Sequence, residues 1–185
     1  MARRIIVSIA TSADGYIARK DGSVDFLNAR PEPKDGYGMA AFYQSIDTIL
    51  WGRKTYDMAL AFQQQGVAGA GFDPKVKNYV FSRHPQAAPA PGVEFVAEPV
   101  DVFARSLRAA PEKDVWMMGG AGLIASFLDA GEIDAFSIHI VPTLIGEGIP
   151  LLEPAHRLVP LRLQGVEKFP DGVVHLNYAV ERARA

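Results

Sequence analysis

The sequence predicts a three-layer α/β fold: a mostly parallel mixed sheet with helices on both faces, closed by a C-terminal antiparallel hairpin. Three features of the 185 residues carry that reading. Short β-branched apolar runs recur, segments of helical spacing lie between them, and a Pro170-Asp171-Gly172 turn joins two late strand patterns. Continuous apolar runs suit strands covered on both faces. Strand and helix in alternation suit a parallel sheet, whose crossovers need helices.

In chain order, Ile5-Ile6-Val7-Ser8-Ile9-Ala10 is the first strand, and similar runs follow at Thr48 to Trp51, Asn78 to Phe81, Val115 to Met118 and Phe136 to Val141. Helical spacing marks Met39 to Ser45, Lys54 to Phe62, Val100 to Ala109 and Leu123 to Ala130. In the last of these Leu123, Phe127 and Leu128 share a face, and Gly131 follows as a C-cap would. Leu161 to Phe169 and Val173 to Val180 flank the Asp-Gly turn as two strands of a hairpin. Loops rich in Gly, Pro, Ala and Gln fall at Asn28 to Gly38, Gln63 to Pro74 and His84 to Gly92, with Gln63 to Gly71 the candidate mobile flap. Neither a repeat nor a linker composition divides the chain, so one domain over residues 1–185 is expected.

Composition narrows the function classes. Apolar residues make up 49% and charged residues 22%, as in ordinary globular proteins. Lys plus Arg number 19 against 21 for Asp plus Glu, a net charge of −2, which supplies no broad basic field for nucleic acid or an anionic membrane. Cysteine is absent, which removes disulfides and thiolate chemistry and suits the cytoplasm, the expected location. The apolar run near the N-terminus is too short for a signal-peptide core or a membrane span. His84, His139, His156 and His175 lack metal-ligand spacing, so no metal is expected. No Gly-x-Ser-x-Gly elbow supplies a hydrolase nucleophile. The expected partner is a small-molecule substrate.

Three turns at the carboxyl ends of predicted strands could carry chemistry. Gly52-Arg53-Lys54-Thr55 opens a helix, where orphan backbone N–H groups and the macrodipole favour anions. It departs from a Walker A loop, because Asp47 holds the early glycine position and Arg53 separates Gly52 from Lys54. A capped helix with two solvated cations is the alternative reading. Gly119-Gly120-Ala121-Gly122 precedes the helix at Leu123, and Gly120, Gly122 and Ala125 match the dinucleotide fingerprint, though without the acid expected some 20 residues on. Close helix–strand packing would also call for these glycines. Ser82-Arg83 places a hydroxyl and a guanidinium where open α/β sheets bind ligands, or else forms an exposed turn. All three turns are expected on one edge of the sheet.

These stretches, together with Ser12-Ala13-Asp14-Gly15-Tyr16-Ile17-Ala18 and Val141-Pro142-Thr143-Leu144-Ile145-Gly146-Glu147-Gly148, resemble the dihydrofolate reductase superfamily. The resemblance is closer to the reductase domain of riboflavin biosynthesis, the C-terminal part of the bifunctional deaminase-reductase, than to dihydrofolate reductase itself. It implies a dihydrofolate reductase-like fold holding NADPH along the carboxyl edge of the sheet. Gly52, Arg53, Lys54 and Thr55 would meet the phosphates, and Arg53, Ser82 and Arg83 the 2′-phosphate. Gly119 and Gly120, joined by a cis peptide in this family, would lie with Ala121, Gly122 and Leu123 against the pyrophosphate and nicotinamide half. Ala10, Ile17 and Ala18 would flank the nicotinamide. A homodimer paired through the C-terminal strands is a further implication.

Hydride transfer is the cofactor's chemistry, so the protein must position the reactants, exclude water and supply a proton. Dihydrofolate reductase carries a carboxylate on its first long helix. Counting back from Gly52 by the same spacing reaches Gly36 and Tyr37, with Asp35 the nearest acid, which weakens folate as a substrate. Asp14 and Glu147 are the replacement catalytic acids considered, beside a turn role for the first, a solvated loop charge for the second, and bound water as the proton source. The expected function is an NADPH-dependent reductase of a small heterocycle of pyrimidine or pteridine type. Alternatives are an NADPH-binding regulatory domain without turnover, dihydrofolate reductase proper, and an NAD-linked Rossmann dehydrogenase.

Overall fold

The computed structural model describes residues 3–28, 33, 36–66, 72–73, 75–84, 89–110 and 112–181. In chain order these form β1 (Ile5–Ser12), β2 (Tyr16–Ala18), α1 (Met39–Ser45), β3 (Ile46–Gly52), α2 (Arg53–Gln64), β4 (Lys77–Phe81) and β5 (Val93–Val96). There follow α3 (Val100–Ala109), β6 (Asp114–Gly119), α4 (Ala121–Asp129), β7 (Ala135–Val141), β8 (Ile149–Pro150), β9 (Leu161–Lys168) and β10 (Val174–Val180). Asp35 and residues 67–71 of the expected flap lie outside the described residues.

The main sheet has the strand order β5-β4-β3-β6-β1-β7-β10-β9. Pairings from β5 through β7 are parallel, and β10 joins β7 and β9 antiparallel, which makes the sheet mixed in the expected sense. The hairpin turns where Gly172 takes φ +92° and the Phe169 N–H donates to the Val173 carbonyl at 2.9 Å.

Helices cover both faces because the central strands are apolar on both. On one side Ile5, Val7, Leu50, Val115, Met117 and Phe136 pack under Phe103, Leu107, Ile124, Phe127 and Leu128 of α3 and α4. On the other, Ile49, Trp51 and Val80 pack with Tyr56 of α2, with Phe42 and Tyr43 of α1 against them. Burying such side chains contributes roughly 1.5–3 kcal/mol each and dominates the stability of the layers.

The sequence expectation falls short in three places. β5 lies beyond the loop expected to end at Gly92 and is not anticipated, nor are β2 and β8, which pair with each other as a separate ribbon. Two to four residues are too few to display a period of two. Helix α2 also begins one residue earlier than expected and runs to Gln64, into the expected loop.

Candidate functional site

Strands β3 and β6 are neighbours, yet the helices that follow them depart on opposite faces, α2 toward β4 and α4 toward β7. Open α/β sheets bind ligands at such a reversal, beyond the carboxyl ends of the strands. Both helices start there with glycine N-caps, Gly52 and Gly120, and neither has a side-chain cap or an acid in its first turn. Two sets of orphan N–H donors and two positive dipole ends therefore meet.

The meeting is close. A Cβ at Gly52 would lie 3.1 Å from the Gly120 nitrogen and 3.2 Å from the Gly119 carbonyl oxygen, and a Cβ at Gly120 would lie 3.1 Å from Thr55 Oγ1. Gly119 adopts φ +105°, a region L side chains avoid, and its bond to Gly120 is cis. Glycine is thus required on sterics, and the result is a backbone cradle lined by N–H groups and the Thr55 hydroxyl. That cradle fits a pyrophosphate, whose oxygens need donors at close backbone approach. Nearby, the Glu153 carboxylate fills the space beside Gly122, with Oε1 2.8 Å from where a Cβ would stand.

The Ser82-Arg83 turn joins this rim through Arg53. The Arg53 guanidinium donates to the His84 carbonyl at 3.0 Å, to which the Ser82 hydroxyl also donates at 3.0 Å. Arg53 further pairs with Asp57 at 2.9 Å and lies 5.7 Å from the Phe95 ring centroid. These contacts hold Arg53 along the rim, while Lys54 and Arg83 are exposed. The three turns singled out in the sequence therefore adjoin one another on the carboxyl edge.

Ala10 is on β1, and Ile17 and buried Ala18 are on β2, which β8 holds in place. Gly148 passes so near that a Cβ there would lie 2.3 Å from the Ala18 carbonyl oxygen. Asp14 fastens the same region: it accepts the Ser12 hydroxyl at 2.6 Å and the N–H groups of Ile145 and Gly146 at 3.2 and 2.7 Å. The Ser12 hydrogen bond above all, with those amides, holds its carboxyl below the usual aspartate range. Asp14 so placed fastens the turn after β1 to the loop at Ile145 and Gly146. Glu147 points to solvent and pairs with Lys20.

A cleft of about 950 Å³ opens on the α1/α2 face of the sheet, running from Trp51 and Met118, which precede Gly52 and Gly119, to Gln44 and Asp73 near the amino ends of the strands. Its walls include Tyr43, Trp51, Phe62, Phe72 and Trp116, with Gln44, Gln63, Asp73 and Asn78 as polar groups. Trp51 Nε1–H donates to Asn78 Oδ1 at 3.0 Å, which fixes the indole. The Tyr43 hydroxyl donates to Asp73 Oδ2 at 3.3 Å, and burial first, then Asp73, raises the phenol's pKa above its ordinary value. Sequence reasoning missed this cleft, because its aromatic residues read as core.

Farther along the same face, a cavity of about 280 Å³ lies over β7 and β10. There the rings of His139 and His175 stack 4.0 Å apart at 6°. His139 Nε2–H donates to the Tyr37 carbonyl at 3.2 Å, and Ser137 Oγ lies 2.7 Å from His175 Nε2. Burial, reinforced by His175, pushes His139 down to about 4.

Among known proteins, the RibD C-terminal domain family matches residues 3–175. The uncharacterized proteins YwjB and YyaP of Bacillus subtilis (strain 168) are 34% and 32% identical to this chain, over 96% and 95% of it and 98% and 94% of their own lengths. A candidate riboflavin biosynthesis protein of Shewanella sp. PV-4 superposes with a TM-score of 0.85 at 28% identity, covering 98% of this chain and all of that one. The Enterococcus faecalis dihydrofolate reductase complexed with NADP(H) has a TM-score of 0.66 at 13% identity, over 98% of this chain and all of that one, and shows the shared fold.

Proposed function

This chain belongs to the RibD C-terminal domain family, and on that premise we propose that it is an NADPH-dependent reductase of a small heteroaromatic substrate. One observation carries the reading: two uncapped helix N-termini touch at Gly52 and Gly120, at the reversal point of the sheet and beside an aromatic cleft. The fold family supports a reductase-type scaffold, and the cradle suits the diphosphate of a dinucleotide.

NADPH, when bound, supplies a hydride to an electrophilic ring carbon. The backbone N–H groups of residues 53–55, 121 and 122, with Thr55 Oγ1, would hold the pyrophosphate, and Arg83, Ser82 and Arg53 would meet the 2′-phosphate. Ala10, Ile17 and Ala18 would wall the nicotinamide, and the aromatic cleft would hold the substrate against it and exclude water. The substrate atom next to the reduced carbon takes a proton, which water supplies, since Asp14 is held ionised by its loop contacts.

Calorimetric titration tests this. NADPH is expected to bind at least about tenfold more tightly than NADH, a difference of about 1.4 kcal/mol. Arg83→Ala should erase most of that preference while leaving NADH affinity unchanged. Equal loss for both cofactors would remove the 2′-phosphate assignment, and no binding of either would remove the function.

A further inference from the structure

We propose a second reactive site: Ser137, His175 and Glu167 form a serine–histidine–carboxylate set in the cavity over β7 and β10, and it hydrolyses a short-chain carboxylic ester. The three residues stand on the neighbouring strands β7, β10 and β9, and all line that cavity of about 280 Å³. His175 lies directly opposite Glu167 in one ladder, and Ser137 lies opposite Asn177 in the other. Their side chains share the face of the sheet that α1 covers. Ser137 Oγ is 2.7 Å from His175 Nε2, and Glu167 Oε2 is 4.0 Å from His175 Nδ1. A nucleophile within hydrogen-bond reach of a base, itself oriented by a third group, is the arrangement that acyl transfer to serine requires.

The Glu167 carboxylate favours the tautomer with its proton on Nδ1, which leaves the Nε2 lone pair for the Ser137 hydroxyl proton. Burial holds His175 below its ordinary value against the opposing pull of Glu167, so at neutral pH the ring is an unprotonated base. The His139 ring stacks on it 4.0 Å away and is itself tied to the Tyr37 carbonyl, which limits rotation of His175. In the reaction the Ser137 oxygen adds to the ester carbonyl carbon as its proton passes to Nε2. The bond from that carbon to the alcohol oxygen then breaks, and Nε2 returns the proton to the leaving oxygen. Water repeats both steps on acyl-Ser137 and releases the carboxylic acid, with no oxidant or reductant consumed. The Asn177 carboxamide, in the same cavity and opposite Ser137, is the donor to the oxyanion. Met39 and Phe42 of α1 give the acyl chain an apolar wall, and the cavity's size limits that chain to a few carbons.

The test uses the full chain without NADPH. Wild-type protein treated with a fluorophosphonate probe is expected to carry a single adduct, which peptide mapping places on Ser137, and to hydrolyse p-nitrophenyl acetate. Ser137→Ala and His175→Gln should each lose at least about a hundredfold in kcat/KM for that ester, with the circular dichroism spectrum unchanged. The labelling map needs no variant, so it decides the question where a variant does not fold. A wild type left unlabelled at Ser137, labelling that proceeds at the same rate in His175→Gln, or ester hydrolysis at the wild-type rate by folded Ser137→Ala would overturn the inference. The reductase reading stands or falls separately, since none of these measurements involves NADPH.

Discussion

Acidification should loosen this protein before its carboxylates titrate, and the stacked histidines over β7 and β10 set the size of the effect. His139 is 8% exposed, lies against His175, and gives its Nε2–H to the Tyr37 carbonyl. Protonation would put a charge into that site, with Ser137 and Glu167 reachable only through His175. The folded-state value is depressed from 6.5 to about 4, so the folded chain binds fewer protons than the unfolded one in between. The stability this represents is therefore complete above about pH 6.5 and is lost as pH falls toward 4. At about 1.36 kcal/mol for each pH unit, that interval corresponds to about 3 kcal/mol, and about 2 kcal/mol of it is gone by pH 5. His175, also lowered by burial, adds in the same direction. Urea unfolding of the wild type and of His139→Gln, whose amide can still donate to Tyr37, should give curves that converge as the pH is lowered from 7.5 to 4.5. Parallel pH slopes for the two proteins would refute the reasoning.

Other consequences follow from contacts away from the rim. Arg3 is 4% exposed and its guanidinium donates to Asp47, to Thr48 Oγ1 at 2.5 Å and to the carbonyls of Lys113 and Leu107 at 2.8 and 3.3 Å. Arg3→Ala should cost about 3 kcal/mol in urea unfolding, the lower part of the range for a broken buried pair, since Asp47 keeps some contact with water. Asp14→Ala should speed hydrogen exchange at Ile145 and Gly146 and raise the KM for NADPH, and the pH profile of kcat should keep its shape because Asp14 holds a loop rather than donates a proton. For the homodimer we propose, β9 is the pairing surface, with Leu161, Leu163 and Val166 42%, 52% and 59% exposed. Light scattering should report a dimer for the wild type and a monomer for Leu163→Asp/Val166→Asp.

Much of this fold is legible because its signals are local. Val115 to Met118 and Phe136 to Val141 announce buried strands by their own side chains, and Asp171-Gly172 announces the hairpin. Strand β5 is harder to read: Val93-Glu94-Phe95-Val96 is a four-residue edge strand after a Pro-rich loop, and its place is set by pairing with β4. The rim was legible for a similar reason, since glycines and cations at strand–helix junctions are adjacent in sequence. The role of Asp14 was not, because its partners Ile145 and Gly146 stand 131 and 132 residues away. Nor was the cleft, since Trp51, Trp116 and Phe62 look like core until the separation of α1 and α2 is known.

The most direct test of the account is a crystal structure of the protein with NADPH. Its pyrophosphate is predicted between residues 52–55 and 120–123, with the 2′-phosphate at Ser82 and Arg83 and the nicotinamide against Ala10, Ile17 and Ala18. A dinucleotide bound on another surface, or lying across this edge with its phosphates away from Gly52 and Gly120, would contradict it.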